Sequence, residues 1–308
     1  MLNYSERPYY SFSEYLKKKY PVKAYRVSLD AGFSCPNRQN RNSSGCLFCG
    51  EEGSRAPYLG NTDDIAEQIR RSVAFLKSRY KAKIFLLYFQ AFSNTHAPVN
   101  ELKAIYDFAL AQASFAELII STRPDCLSPE KVELIASYQS QGIDVSVELG
   151  LQTSHNATLE LVKRGHSYED FLKAYHWLDD ARIPTTVHLI FGLPHESQRD
   201  MLSTVERVAQ LKPHGIKIHN LHIVKNTALY EMYKSGEFQA FSWKEHLETL
   251  IAALEILPPE TVIMRLTCDT LPAKLAAPLD FPPKARFLQI LEQEMTQRNT
   301  WQGRLYHH

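Results

Sequence analysis

The sequence predicts an α/β chain, a partial (β/α)6 TIM-like barrel followed by a C-terminal α/β extension. Three observations lead there. Six apolar stretches of strand length alternate with stretches of helical periodicity between about residues 25 and 222. One of them, IFLLYF at 84–89, is apolar at every position, as expected of a parallel strand covered on both faces. After the stretches the composition turns polar, and Cys, Gln, Asn, Arg, Glu and His gather where a parallel barrel holds its active site. Such alternation implies a parallel sheet with right-handed crossovers. Periodicity by itself leaves an open doubly wound sheet as the other arrangement.

Residues 5–19 read as an N-terminal helix carrying Phe12, Tyr15 and Leu16. Tyr25, Val27 and Leu29 alternate as a first strand, and 51–61 form the loop leaving the segment after it. A helix from 62 or 63 to about 79 places Ile65, Ile69, Val73 and Leu76 on one stripe, with acidic residues in its first turn. The strand at 84–89 precedes a helix with Leu102, Ile105, Tyr106 and Ala109, then a strand at 118–122. Ser128 and Pro129 open the next helix, and Gly142 closes it. Strands follow at 145–149, 186–191 and 216–222, with helices at 155–163, 168–182 and 197–211. The last of these turns Met201, Leu202, Val205 and Val208 inward.

After residue 224 the pattern changes. Ser242 and Glu245 make a capping box for a helix at 242–257, a further strand falls at 262–267, and 283–298 is a final helix. The expected organisation is an N-terminal helical segment (1–23), a barrel (24–225) and an extension packed on it (226–308).

With 44% hydrophobic residues, the 308-residue chain can bury a sizeable core. A net charge of +1 provides no overall attraction to nucleic acid. Five cysteines and no apolar export segment point to a reducing, cytoplasmic setting rather than a disulfide framework. No apolar stretch reaches the roughly 20 residues of a membrane span.

Three of the cysteines, Cys35, Cys46 and Cys49, lie on the Gly-, Ser- and Asn-rich loop after the first strand. Thiolates suit zinc and iron–sulfur clusters. A structural zinc site or a ferredoxin wants four such ligands. Three on a 4Fe–4S cluster leave one iron open to a ligand, by the logic that separates catalytic from structural metals. The plainer reading is a set of ordinary thiols, which three within fifteen residues, flanked by Gly and Asn, argue against.

The segment resembles the cluster loop of the radical S-adenosylmethionine (radical SAM) superfamily. Cys46-Leu47-Phe48-Cys49 matches its Cys-x-aromatic-Cys ending, while the ten residues between Cys35 and Cys46 exceed its usual spacing. That spacing, with the words GFSCPNR, YFQAFSNT and RLTCDT, resembles the subgroup of the bacterial YhcC and YtqA proteins. The resemblance implies a 4Fe–4S cluster held by Cys35, Cys46 and Cys49, with SAM chelating the open iron. ELGLQ resembles a SAM-binding strand of the coproporphyrinogen oxidase and Elongator branch, so Glu148 and Gln152 would bond the ribose hydroxyls and methionine amine. IFGLPHES resembles IxGLPGE of that branch, with His195 in place of glycine, and Gly192 would let the backbone approach adenine. Arg123 in STRPD would pair with the SAM carboxylate or with Asp125, and Phe48 would lie beside adenine. QAFSN stands where many relatives carry GGE, making Gln90 the substitute; His222, after the sixth strand, completes the set. His166 is expected to cap a helix end, and Cys126 and Cys268 to be structural thiols.

The implied reaction is reductive cleavage of SAM to a 5′-deoxyadenosyl radical that abstracts hydrogen from substrate. It needs a flavodoxin- or ferredoxin-like electron donor. By the subgroup's analogy the substrate is tRNA at its wobble uridine, a reading helped by Lys17, Lys18, Lys19, Arg70 and Arg71 and opposed by the near-neutral charge. The alternatives are a non-catalytic iron–sulfur redox sensor or scaffold, and a zinc-binding barrel. No catalytic residue and no oligomeric state can be named from the sequence.

Overall fold

The computed structural model describes residues 7–40, 43, 45–50 and 62–307. The loop at 51–61 and the first two residues of the expected N-terminal helix lie outside them. That helix, α1, runs Phe12–Lys19, and it starts late because the Ser11 hydroxyl caps it by accepting the Glu14 N–H. The barrel follows as β1 (Ala24–Leu29), α2 (Ile65–Tyr80), β2 (Ile84–Phe89), α3 (Val99–Leu110), β3 (Glu117–Thr122) and α4 (Pro129–Ser137). It continues as β4 (Asp144–Gln152), α5 (Asn156–Leu161), α6 (Tyr168–Asp180), β5 (Thr185–Phe191), α7 (Gln198–Gln210) and β6 (Gly215–Asn220). The extension holds β7 (Ile223–Val224), α8 (Ala228–Lys234), α9 (Trp243–Ile256), β8 (Val262–Arg265), β9 (Leu275–Ala277) and α10 (Lys284–Gln297).

Seven strands form one parallel sheet in the order β1-β2-β3-β4-β5-β6-β8. A doubly wound sheet would reverse its order partway, and this one never does. The strand expected at 262–267 joins the sheet beside β6, so the extension supplies a seventh barrel strand. The sheet curls. Arg26 on β1 and Lys217 on β6 both reach Glu148 on β4, which a flat sheet would not allow. Residues such as Val27, Leu87, Ile120, Val147, Val187 and Ile218 face outward and pack under the helices in the main core. Each such side chain contributes about 1.5–3 kcal/mol on burial.

The alternate residues face the lumen. At the N-terminal ends of the strands α1 plugs it, with Leu16 and Tyr20 against Leu86, Tyr88 and Ile119. Lys19 bonds there to Glu117 at 3.1 Å and Asp144 at 3.0 Å. The closed end leaves the C-terminal ends of the strands as the mouth.

Candidate metal centre

The cysteine loop is held from four sides. At its start Asp30 exchanges two hydrogen bonds with Gln68 of α2, each 2.9 Å. The Ser93 N–H, after β2, donates to Ser34 O at 3.2 Å. The Leu47 N–H donates to Val162 O, and Leu47 O accepts from the Leu229 N–H of α8, both at 3.0 Å. The Cys49 N–H donates to Cys46 O at 2.9 Å, so these two thiols share one turn. The Phe48 ring lies against an apolar cluster containing Ile190, Leu221 and Leu229.

Two arginines face the sulfurs. Arg123 Nη1 lies 3.6 Å from Cys35 Sγ and 3.9 Å from Cys46 Sγ, so both sulfurs address one point. Arg164 Nη1 is 3.8 Å from Cys46 Sγ, and Asn37 Nδ2 donates to it at 3.3 Å. Burial pushes the Cys46 thiol up, but Arg164, Arg123 and the Asn37 amide more than offset this and lower it below a free cysteine. Cys49 is pushed up by burial and by Cys46, with Arg38 opposing. Cys46 and Cys49 line a cavity of about 600 Å³ with Asn37, Lys163, Gly165 and Asn226, a volume that suits a ligand of cofactor size.

Among the described residues no three His, Cys, Asp or Glu side chains converge as one metal ion requires. Sulfurs sharing a zinc each sit about 2.3 Å from it. A cluster in which each thiolate has its own iron asks for a wider triangle, and the donor chemistry here suits it.

The other expected site residues divide. Arg123 is buried and makes a two-pronged pair with Asp125 at 2.9 and 2.8 Å, so its remaining nitrogen faces the sulfurs. Gln152 ends β4 in the left-handed region (φ 80°), with its Oε1 buried and unpartnered. Gln90 follows β2 directly, its N–H bonded to Leu29 O at 3.3 Å. Glu148 does not join Gln152. Because β4 runs three residues beyond the expected strand, Glu148 is mid-strand, where Lys217, Arg26 and Tyr88 take its carboxylate. Gly192 is also left-handed (φ 85°), and a Cβ there would lie 2.4 Å from Phe241 Cβ; packing of the extension already accounts for the glycine. His222 sits between Asn220 Nδ2 at 2.7 Å and Thr270 Oγ1 at 2.8 Å, with Cys268 Sγ 4.0 Å away.

His166 does not cap a helix end. Its Nε2 accepts the Arg164 Nε–H at 3.1 Å, and burial beside Arg164 lowers it to about 4, so it stays neutral. It thereby aims Arg164, whose Nη2 also donates to Gly150 O at 2.8 Å. Arg164, Asn37, Arg26 and Lys217 escaped the sequence reading. Asn37 sits within GFSCPNR on the cysteine loop itself, whereas Arg164, Arg26 and Lys217 depend on the fold to bring them in.

Residues 35–208 match the radical SAM superfamily, and 213–297 match the radical SAM C-terminal domain. YtqA of Bacillus subtilis, an uncharacterised protein, is 34% identical over 98% of this chain and 94% of its own length. A tRNA uridine(34) acetyltransferase of Methanocaldococcus infernus is 33% identical over 49% of this chain and 28% of its own. The solved archaeal M. infernus Elp3 superposes with a TM-score of 0.70 at 21% identity, covering 91% of this chain and 64% of that one. A curled parallel sheet with a three-cysteine loop at its mouth defines a radical SAM protein. The chain belongs to the radical SAM superfamily, whose members bind a 4Fe–4S cluster and SAM. No helix among the described residues is long and apolar enough to cross a membrane.

Proposed function

We propose that this chain is a radical SAM enzyme acting on tRNA, with Cys35, Cys46 and Cys49 holding the cluster. The carrying observation is the shared approach of Arg123 to Cys35 and Cys46, beside the turn that holds Cys49. The bound cluster and SAM supply one-electron cleavage of SAM and a carbon radical that takes hydrogen from substrate. Arg123 and Arg164 offset the negative charge of the thiolates. The unpartnered Gln152 Oε1 suits a ribose hydroxyl, and Phe48 and Gln90 stand at the same mouth. The lumen wall keeps water and other hydrogen donors away. A flavodoxin- or ferredoxin-like protein is the fitting electron donor.

The tRNA reading is supported by the acetyltransferase relative named above. Among the cations that favour it, Arg70 and Arg71 both bond Glu67, Lys18 bonds Glu14, and Lys19 bonds Glu117 and Asp144 at the plugged end. A tRNA would have to meet the opposite, cysteine-bearing end. Reconstituted protein should give a salt-sensitive shift of tRNA, and nucleoside mass spectrometry of tRNA from a deletion strain should show one lost modification. Unchanged nucleosides and no binding at low salt would remove tRNA as the substrate.

A further inference from the structure

The lumen carries more positive charge than the cysteine mouth accounts for. At its floor the buried Glu148 meets Lys217, the Tyr88 hydroxyl at 2.5 Å, and Arg26 Nη1 at 3.0 Å. Arg26 is itself held between the Phe12 and Tyr88 rings, 4.6 and 4.7 Å from their centroids. One step nearer the mouth, the His188 and His219 rings touch with centroids 4.1 Å apart, and Arg265 Nη1 lies 3.5 Å from His219 Nε2.

One carboxylate cannot neutralise both Arg26 and Arg265, and burial beside these guanidinium groups lowers Lys217 to about 7. Asp269 is in electrostatic reach of Arg265's surroundings, but Lys284 accompanies it. Both histidines are held neutral by burial and by these cations, so each still has one N–H to give. Arg26 Nε and Nη2 and His188 Nε2 are buried without a hydrogen-bond partner, which is costly unless something meets them. Glu148 and Lys217 are only 3% and 5% exposed, Arg26, His188, His219 and Arg265 are partly buried, and the strand register sets His188, His219 and Arg265 on the same face as Lys217.

We propose that this lumen binds an oxyanion carried by the substrate, a carboxylate or a phosphate, gripped by Arg265 and the His188–His219 pair. Its role as a substrate pocket rests on the radical SAM reading, because the lumen opens at the cysteine mouth. The test is thermal unfolding of the full, anaerobically reconstituted chain at constant ionic strength, with chloride exchanged for acetate, succinate or inorganic phosphate. Because phosphate also stabilises proteins generally, the measured quantity is the part of the Tm rise that saturates.

A saturable rise of several degrees is expected. Arg265→Gln and His188→Gln should abolish most of it, and the exposed Arg286→Gln should retain it. A response to the carboxylates or to phosphate identifies the source. If Arg265→Gln does not fold by circular dichroism, His219→Gln replaces it. No saturable rise with any probe, or a rise that survives the lumen variants, overturns the proposal. SAM cleavage is measured on the same preparation. Cleavage without anion binding sinks this inference alone. Variant-sensitive anion binding without cleavage leaves the anion site standing and sinks the enzymatic reading.

Discussion

At the scale of single residues, the sulfurs depend on neighbours far away in sequence. Arg164 touches Cys46 and is itself aimed by His166 and Gly150 O. Groups that orient metal ligands typically matter 10–100-fold in affinity. Arg164→Ala should therefore release iron to a chelator about 10-fold faster at unchanged cysteine content, read by loss of cluster absorbance. Gly192→Ala should cost about 1–3 kcal/mol in urea unfolding, since its Cβ would sit 2.4 Å from Phe241 Cβ at a left-handed backbone position. The cysteines were legible because they are contiguous on one loop. Glu148 was misplaced because the sequence could not show that β4 continues to Gln152, which turns an apparent strand end into the lumen floor. Arg26 and Lys217 carry no signal of their own in the sequence, and only curling of the sheet makes them partners of one carboxylate.

At the scale of elements, the alternation of strands and helices was readable from β1 to β6, because parallel strands with crossover helices leave two clear periods in a sequence, whereas the short β7, α8 and β9 of the extension were not. What it could not reveal was which strands sit side by side. The placement of β8 as the seventh strand follows from long-range pairing with β6, beginning with Val262 N–H to His214 O at 2.9 Å. Gln302 ties the N-terminal segment to the C-terminal one. Its Nε2 donates to Pro258 O at 2.7 Å and Thr261 O at 2.8 Å, and its Oε1 accepts from the Tyr10 N–H at 2.9 Å. Gln302→Ala would leave Thr261 O and the Tyr10 N–H unmatched in a buried site, while Pro258 O keeps the Thr261 N–H, and should cost about 2–4 kcal/mol, measured by urea unfolding. A loss below about 0.5 kcal/mol would mean that water replaces the side chain there.

For the molecule as a whole, buried histidines set the acid limit of stability. His246 of α9 donates Nε2–H to Leu266 O at 2.9 Å and lies among the Phe191, Phe241, Phe281 and Phe287 rings. Burial lowers it from 6.5 to about 4. The unfolded chain takes up its proton first, so this contribution is complete above pH 6.5 and lost as pH falls toward 4. It amounts to about 3 kcal/mol, at about 1.4 kcal/mol for each tenfold change in proton affinity. Glu148, held below the ordinary carboxylate range despite burial because Lys217 and Arg26 hold its charge, adds a second loss as pH falls below about 4.5. Urea unfolding from pH 7 to 4.5 should show the His246 loss together with those of His166, His188 and His219, and His246→Gln, which keeps a donor without the titration, should remove its own share and leave theirs.

The most direct measurement of the central claim is cluster content and SAM turnover in the anaerobically reconstituted chain. Wild type should hold about four iron and four sulfide and yield 5′-deoxyadenosine and methionine from SAM with reductant, and Cys35→Ala, Cys46→Ala and Cys49→Ala should each lose both. A colourless protein carrying zinc, or a cluster that survives loss of any one of these cysteines, would contradict it.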